Sequence, residues 1–127
     1  AVMDRMSKEQ LSGLPTFSEQ ISQKVVLQAN HFELTVEPSM LEKSGVLSNG
    51  VLTEVLTTVT RQLMMNSGKN LIIEQLLVYY LQAVQVDDTL RIETRIVRQT
   101  RRSAIIDFDL YLNLQLVTKA TVTLKIN

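Results

Sequence analysis

The stretch GVLSNGVLTEVLTTVTRQLMMNSG, residues 45–68, decides how the rest of the chain is read. Val51, Leu52, Val55, Leu56, Val59, Leu63 and Met64 recur at helical spacing and make a broad apolar stripe. Asn49 suits the cap position at the start, and Gly68 suits the left-handed position past the end. Yet Val51, Thr53, Val55, Thr57, Thr58, Val59 and Thr60 are β-branched, which helices mildly disfavour. Such a helix is held by burial rather than by local propensity. The burying material lies downstream, where the sequence reads as strand after strand.

Residues 71–81, LIIEQLLVYYL, are apolar at both odd and even positions, which predicts a strand covered on both faces. One helix covers one face, so the other calls for a partner subunit or the N-terminal arm. Residues 90–99 alternate, with Leu90, Ile92 and Ile96 in and Arg91, Glu93 and Arg95 out. Residues 103–112 and 116–126 repeat the pattern. The connectors at Asp87-Asp88, 100–102 and 113–115 are short, which predicts an antiparallel meander. Upstream, residues 25–36 read as one half-buried strand with Phe32, Leu34 and Val36 on one face. Residues 38–44 read as a short helix opened by Pro38 and stopped at Gly45. Residues 1–24 read as a linker or an N-terminal arm, with Leu11, Leu14, Phe17 and Ile21 at helical spacing and breaks at Gly13 and Pro15. The predicted organisation is therefore an arm over 1–24 and an α+β domain over 25–127. Its architecture is a long central helix wrapped by a curved antiparallel sheet.

The 127 residues suffice for one domain with one core, and the 13 basic and 13 acidic side chains cancel. Zero net charge argues against a dedicated nucleic-acid binder, and the arginine-rich stretch 91–102 lacks interleaved aromatics for base stacking. There is no cysteine, hence no disulfide, thiol nucleophile or thiolate metal site. His31 has no partners at ligand spacing, so no metal is expected. No apolar run reaches membrane length. A cytoplasmic location is expected. The opening, AVMDRM, reads as a cut inside a longer protein.

Residues Gly45-Val46-Leu47-Ser48-Asn49-Gly50 resemble the G-x-L-H-G-G segment that opens the central helix in hot-dog acyl-CoA thioesterases of the phenylacetyl-CoA type. The strands from Val78 onward, with Tyr80-Leu81, the Asp88 turn and the Arg101-Arg102 turn, are similar to that family's remaining strands. A further resemblance is to the C-terminal hot-dog domain of bacterial proteins that carry DRTGG and CBS modules. The resemblance implies a hot-dog fold, a homodimer or tetramer as the working unit, a coenzyme A thioester as ligand, and no other cofactor.

A thioesterase needs amides aimed at the carbonyl oxygen and a carboxylate to activate water or attack directly. A helix start offers free N–H groups, which makes Asn49 and Gly50 candidates for the first task. For the second, the resembling enzymes place Asp or Glu nine positions after the motif histidine. Here Ser48 replaces that histidine and Thr57 stands at the carboxylate position. Thr57 has no proton-accepting state near neutral pH. Glu54, one turn earlier, and Glu42, where the family has a polar amide, are the substitutes on offer. The resemblance further implies Arg101 and Arg102, with Ser48, as contacts for coenzyme A, since a guanidinium fork suits phosphate. Each candidate also has a plainer reading as cap, turn or solvated side chain. Three functions stay open: an acyl-CoA-binding regulatory domain with weak or no hydrolysis, an active thioesterase for a small acyl-CoA, and a dimerisation module.

Overall fold

The computed structural model describes residues 16–28, 30–64 and 70–127. Element order is α1 (Phe17–Lys24), β1 (Val25–Gln28), β2 (His31–Thr35), a 3-10 turn (Pro38–Met40), α2 (Asn49–Leu63), β3 (Leu71–Tyr80), β4 (Thr89–Gln99), β5 (Ser103–Leu112) and β6 (Gln115–Ile126). Leu11, Gly13, Leu14, Pro15 and Gly68 lie outside the described residues.

The strands form one antiparallel sheet in the order β1-β2-β4-β5-β6-β3. Its inner face and α2 share one core. Val51, Leu52, Val55, Leu56 and Val59 of α2 are buried together with Leu34, Leu90, Ile92, Ile106, Phe108, Leu110, Val122 and Leu124. Phe108, the bulkiest of the fully buried side chains, lies opposite small Ala120 on β6, so the sheet leaves room for its ring under the helix. Register shifts at Ile73/Gln75, Ile96/Arg98 and Leu110/Tyr111 add local twist, which helps the sheet curl. This is the helix-in-sheet arrangement of the hot-dog fold.

The β-branched helix residues are accommodated in two ways. The valines are buried, and two threonines bond back to the preceding turn. Thr53 Oγ1 donates to the Asn49 carbonyl at 2.7 Å, and Thr58 Oγ1 to the Glu54 carbonyl at 2.8 Å.

Three local expectations change, and a fourth, that of β3, is met within the single chain on one face. Residues 25–36 are a hairpin rather than one strand, with Val25 paired to Leu34 and Gln28 to His31. The apolar alternation changes phase across the polar stretch at Gln28, Asn30 and His31, but no Asn-Gly or Asp-Gly pair marks the reversal. Residues 38–44 make only a 3-10 turn; Leu41 then bridges to Leu47, and Gly45 carries φ +85°. The cap of α2 is Ser48, not Asn49: Ser48 is extended, and its Oγ accepts the Val51 N–H at 3.2 Å. Finally, β3 buries one face only. Leu71, Ile73, Leu76, Val78 and Tyr80 pack on the core, while Ile72, Leu77 and Tyr79 are 46%, 46% and 55% exposed on the other side.

Over residues 16–24, Thr16 accepts the Glu19 N–H at 3.1 Å and starts α1. Ile21 then seats α1 in the core cluster.

Candidate functional site

The loop before α2 is pinned by its own apolar residues. Met40 and Leu47 are buried, the Ser48 N–H donates to the Met40 carbonyl at 2.8 Å, and the Val84 N–H donates to the Gly45 carbonyl at 2.8 Å. A Cβ on Gly45 would stand 3.1 Å from that of Ala83, so glycine lets the two loops touch. These anchors deliver Ser48 into the cap position.

Once Ser48 caps the helix, the Asn49 side chain is released for another partner. That partner is Tyr80, at the end of β3, whose hydroxyl donates to Asn49 Oδ1 at 2.8 Å. Burial holds the Tyr80 hydroxyl above the usual tyrosine range, and the negative charge of nearby Glu42 pushes the same way. The hydroxyl therefore stays protonated at neutral pH. A cleft of about 320 Å³ opens beside the pair, lined by Asn49, Leu52, Thr53, Leu76, Val78 and Tyr80. Gly50, next to Asn49 in the first turn, is exposed, with no atom within 4 Å of where a Cβ would sit. The Asn49 and Gly50 amides belong to the first turn, which has no intrahelical acceptors for them.

The predicted residues thus divide. Asn49, Gly50 and Ser48 meet at the helix start, with Glu42 within electrostatic reach of Tyr80. Thr57 and Glu54 are half-buried further along α2 and do not line the cleft. Arg101 and Arg102 line a separate hollow of about 470 Å³ with Lys125, Ile126 and Asn127. It lies at the opposite end of β3, because Leu71 pairs with Ile126 and the Ile126 N–H donates to the Arg102 carbonyl at 2.8 Å. Sequence reasoning missed Tyr80 and Thr53. The only local hint was a tyrosine ending an apolar strand.

The outer sheet face carries ion pairs rather than a catalytic group. Arg95 Nη2 lies 2.9 Å from Asp107 Oδ2, Thr121 Oγ1 donates to Asp107 Oδ1 at 2.8 Å, and Lys119 Nζ lies 3.0 Å from Asp109. The Arg95 hydrogen bond, then that of Thr121, holds the Asp107 carboxyl below the usual carboxylate range. A lowered folded-state pKa stabilises the fold fully above the ordinary carboxylate value, and that contribution fades as pH falls through the lowered one. Asp107→Asn should therefore lower the unfolding free energy measured by urea titration at neutral pH, by no more than about 1 kcal/mol for so exposed an arginine. The gap to wild type should close as pH falls from the ordinary carboxylate range through the lowered one. A gap constant with pH would contradict this.

Among the described residues, no group of three His, Asp or Glu side chains is placed to hold a metal ion. No helix among them is long and apolar enough to cross a membrane.

Comparison with known proteins fits this geometry. The chain is 24% identical over 96 residues to the uncharacterized protein YtoI of Bacillus subtilis (strain 168), a match covering 75% of this chain and 22% of that protein. The chain thus spans about a fifth of that relative's length. A hypothetical thioesterase from Streptococcus pneumoniae, solved with coenzyme A, superposes with a TM-score of 0.69 at 23% identity, over 81% of this chain and 84% of that one. The protein smu.793 from Streptococcus mutans, bound to acetyl-CoA, superposes with a TM-score of 0.69 at 23% identity, over 82% and 87%. The thioesterase superfamily pattern matches residues 44–113, from the cap loop through the β5–β6 turn, and with more than half of its length so matched the chain belongs to the thioesterase superfamily.

Proposed function

We propose that this domain binds a small acyl-CoA thioester in the cleft at the start of α2 and hydrolyses it slowly or not at all. The observation that carries the reading is the cleft lining. Leu52, Leu76 and Val78 supply apolar walls and Asn49, Thr53 and Tyr80 polar groups, but no carboxylate is among them. A volume of about 320 Å³ is at the small end for ligand pockets. The coenzyme A and acetyl-CoA bound to the two streptococcal proteins support the ligand class. The free amides of Asn49 and Gly50 would receive the carbonyl oxygen.

The working unit in this reading is a homodimer joined edge to edge through β3. The strand is ten residues long, free of proline, apolar, and last in its sheet, which is the profile of an edge that pairs with another chain. Antiparallel pairing about a two-fold axis would bring the Leu71 end of one β3 beside the Tyr80 end of the other. Arg101 and Arg102 of the partner subunit would then approach this subunit's cleft and meet the phosphates of coenzyme A. A regulatory role in the cytoplasm, within a longer protein, fits a domain that binds a thioester and releases little product.

Isothermal titration with acetyl-CoA, paired with a free-thiol release assay, tests the reading. Saturable binding with no thiol above buffer is the expected result; no binding, or efficient turnover, overturns it. Gly50→Leu should hold or raise the melting temperature, since glycine is about 1 kcal/mol unfavourable inside helices. It should also weaken binding at least about tenfold, because a side chain there would crowd the Asn49 and Gly50 amides that receive the carbonyl oxygen in this reading. Unchanged affinity would place the ligand elsewhere. A second reading, an active thioesterase, is favoured by one observation, the reach of the Glu42 charge to the Tyr80 hydroxyl. It requires thiol release that Glu42→Gln abolishes.

A further inference from the structure

We infer that Tyr80 is a positioning residue that fixes the Asn49 side-chain amide so that its Nδ2 faces the cleft as a hydrogen-bond donor for the thioester carbonyl. This rests on the proposed ligand and adds a side-chain donor to the backbone amides of the helix start. A primary amide has one acceptor oxygen and one donor nitrogen. The Tyr80 hydroxyl donates to Asn49 Oδ1 at 2.8 Å, which engages the oxygen and leaves Nδ2 as the group on offer. Both residues line the same cleft, so the donor opens onto the space a ligand would fill. The alternative, Oδ1 toward the ligand, would need Tyr80 to act as acceptor only. Burial and Glu42 keep the phenol protonated, which supports its role as the donor.

Thr53 completes the device. Its hydroxyl proton is committed to the Asn49 carbonyl at 2.7 Å, so Oγ1 turns only lone pairs to the cleft. A carbonyl oxygen entering here meets one side-chain donor, Nδ2, and is directed to it.

The test is isotope-edited infrared spectroscopy of acetyl-CoA carrying a 13C carbonyl, bound to wild type, Tyr80→Phe, Asn49→Ala and Asn49→Asp, with calorimetry and melting temperatures recorded in parallel. The carbonyl band is expected to move to lower wavenumber on binding to wild type and to return toward the free value in Tyr80→Phe and Asn49→Ala. Affinity is expected to fall about three- to tenfold in both. Asn49→Asp keeps an acceptor for Tyr80 but presents no donor, so it is expected to bind more weakly than Asn49→Ala. A purely structural role for Tyr80 would move melting temperature without moving the band. Binding with an unmoved band in wild type, or a shift retained in Tyr80→Phe, overturns the inference and leaves acyl-CoA binding standing. Absence of saturable binding in wild type overturns both. Should Tyr80→Phe fail to fold, the Asn49 side-chain NH2 resonances of wild type decide: a shift on titration with acetyl-CoA supports the inference, and its absence overturns it.

Discussion

Phe108→Ala should lower the unfolding free energy by about 3–5 kcal/mol, a large part of the roughly 5–15 kcal/mol expected for a domain of this size. Phe108 is fully buried on β5, and its cross-strand neighbours are Thr94 on β4 and Ala120 on β6. Neither neighbour is large enough to refill the space. The space it vacates faces α2, whose β-branched residues rely on burial for their helical state, so a cavity there removes the support of both layers. Leu114→Ala is the control, since Leu114 is 95% exposed in the β5–β6 turn and should change stability by no more than about 0.5 kcal/mol. Urea titrations of the two variants decide the matter. Equal midpoints would mean that the helix does not depend on the sheet beneath it.

The double variant Leu77→Lys/Tyr79→Lys should turn a dimer into a folded monomer. Both side chains stand on the outer face of β3 and are about half exposed, so the single chain loses little packing, and its new cross-strand like charge is Lys119, opposite residue 79 on β6. If two β3 edges pair, however, the outer rows of the copies lie side by side. Four added ammonium groups would then crowd neighbouring strands, where like charges are destabilising by about 0.2–1 kcal/mol per directly opposed pair. Light scattering coupled to size exclusion should show the wild-type mass halved, with a circular dichroism spectrum unchanged. Acetyl-CoA affinity should fall with the mass, because in the proposed arrangement Arg101 and Arg102 of the partner subunit would meet the coenzyme A phosphates. A monomeric wild type, or a double variant of unchanged mass, would remove edge pairing from consideration.

The periodicity of the sequence was enough to locate α2 and the four strands after it, because a stripe at helical spacing and alternation at period two survive any tertiary context. What it lacked was a local mark for features made by distant partners. The reversal between Gln28 and His31 is marked only by a short polar stretch and a change of phase, with no Asn-Gly or Asp-Gly dipeptide. Asn49 and Ser48 are both good caps by composition; the loop anchors at Met40 and Gly45 put Ser48 in the cap position, and the released Asn49 side chain is engaged by Tyr80 from 31 positions away. That meeting in turn depends on the register of β3 against β6, where Tyr80 stands opposite Thr118. The replacement of the family's histidine and carboxylate by Ser48 and Thr57 was visible at once, since it needs only counting along the chain.

The place of β6 between β5 and β3 has a consequence for biosynthesis. β3 leaves the ribosome well before β4 and β5, yet its in-chain hydrogen-bonding partner is the last strand to emerge. Until then its apolar residues have neither a ladder nor a completed core, and α2 has no closed surface to settle on. The nascent domain therefore carries a sticky segment until β6 has been made, and its folding waits for that strand. Chaperone dependence should concentrate on that interval.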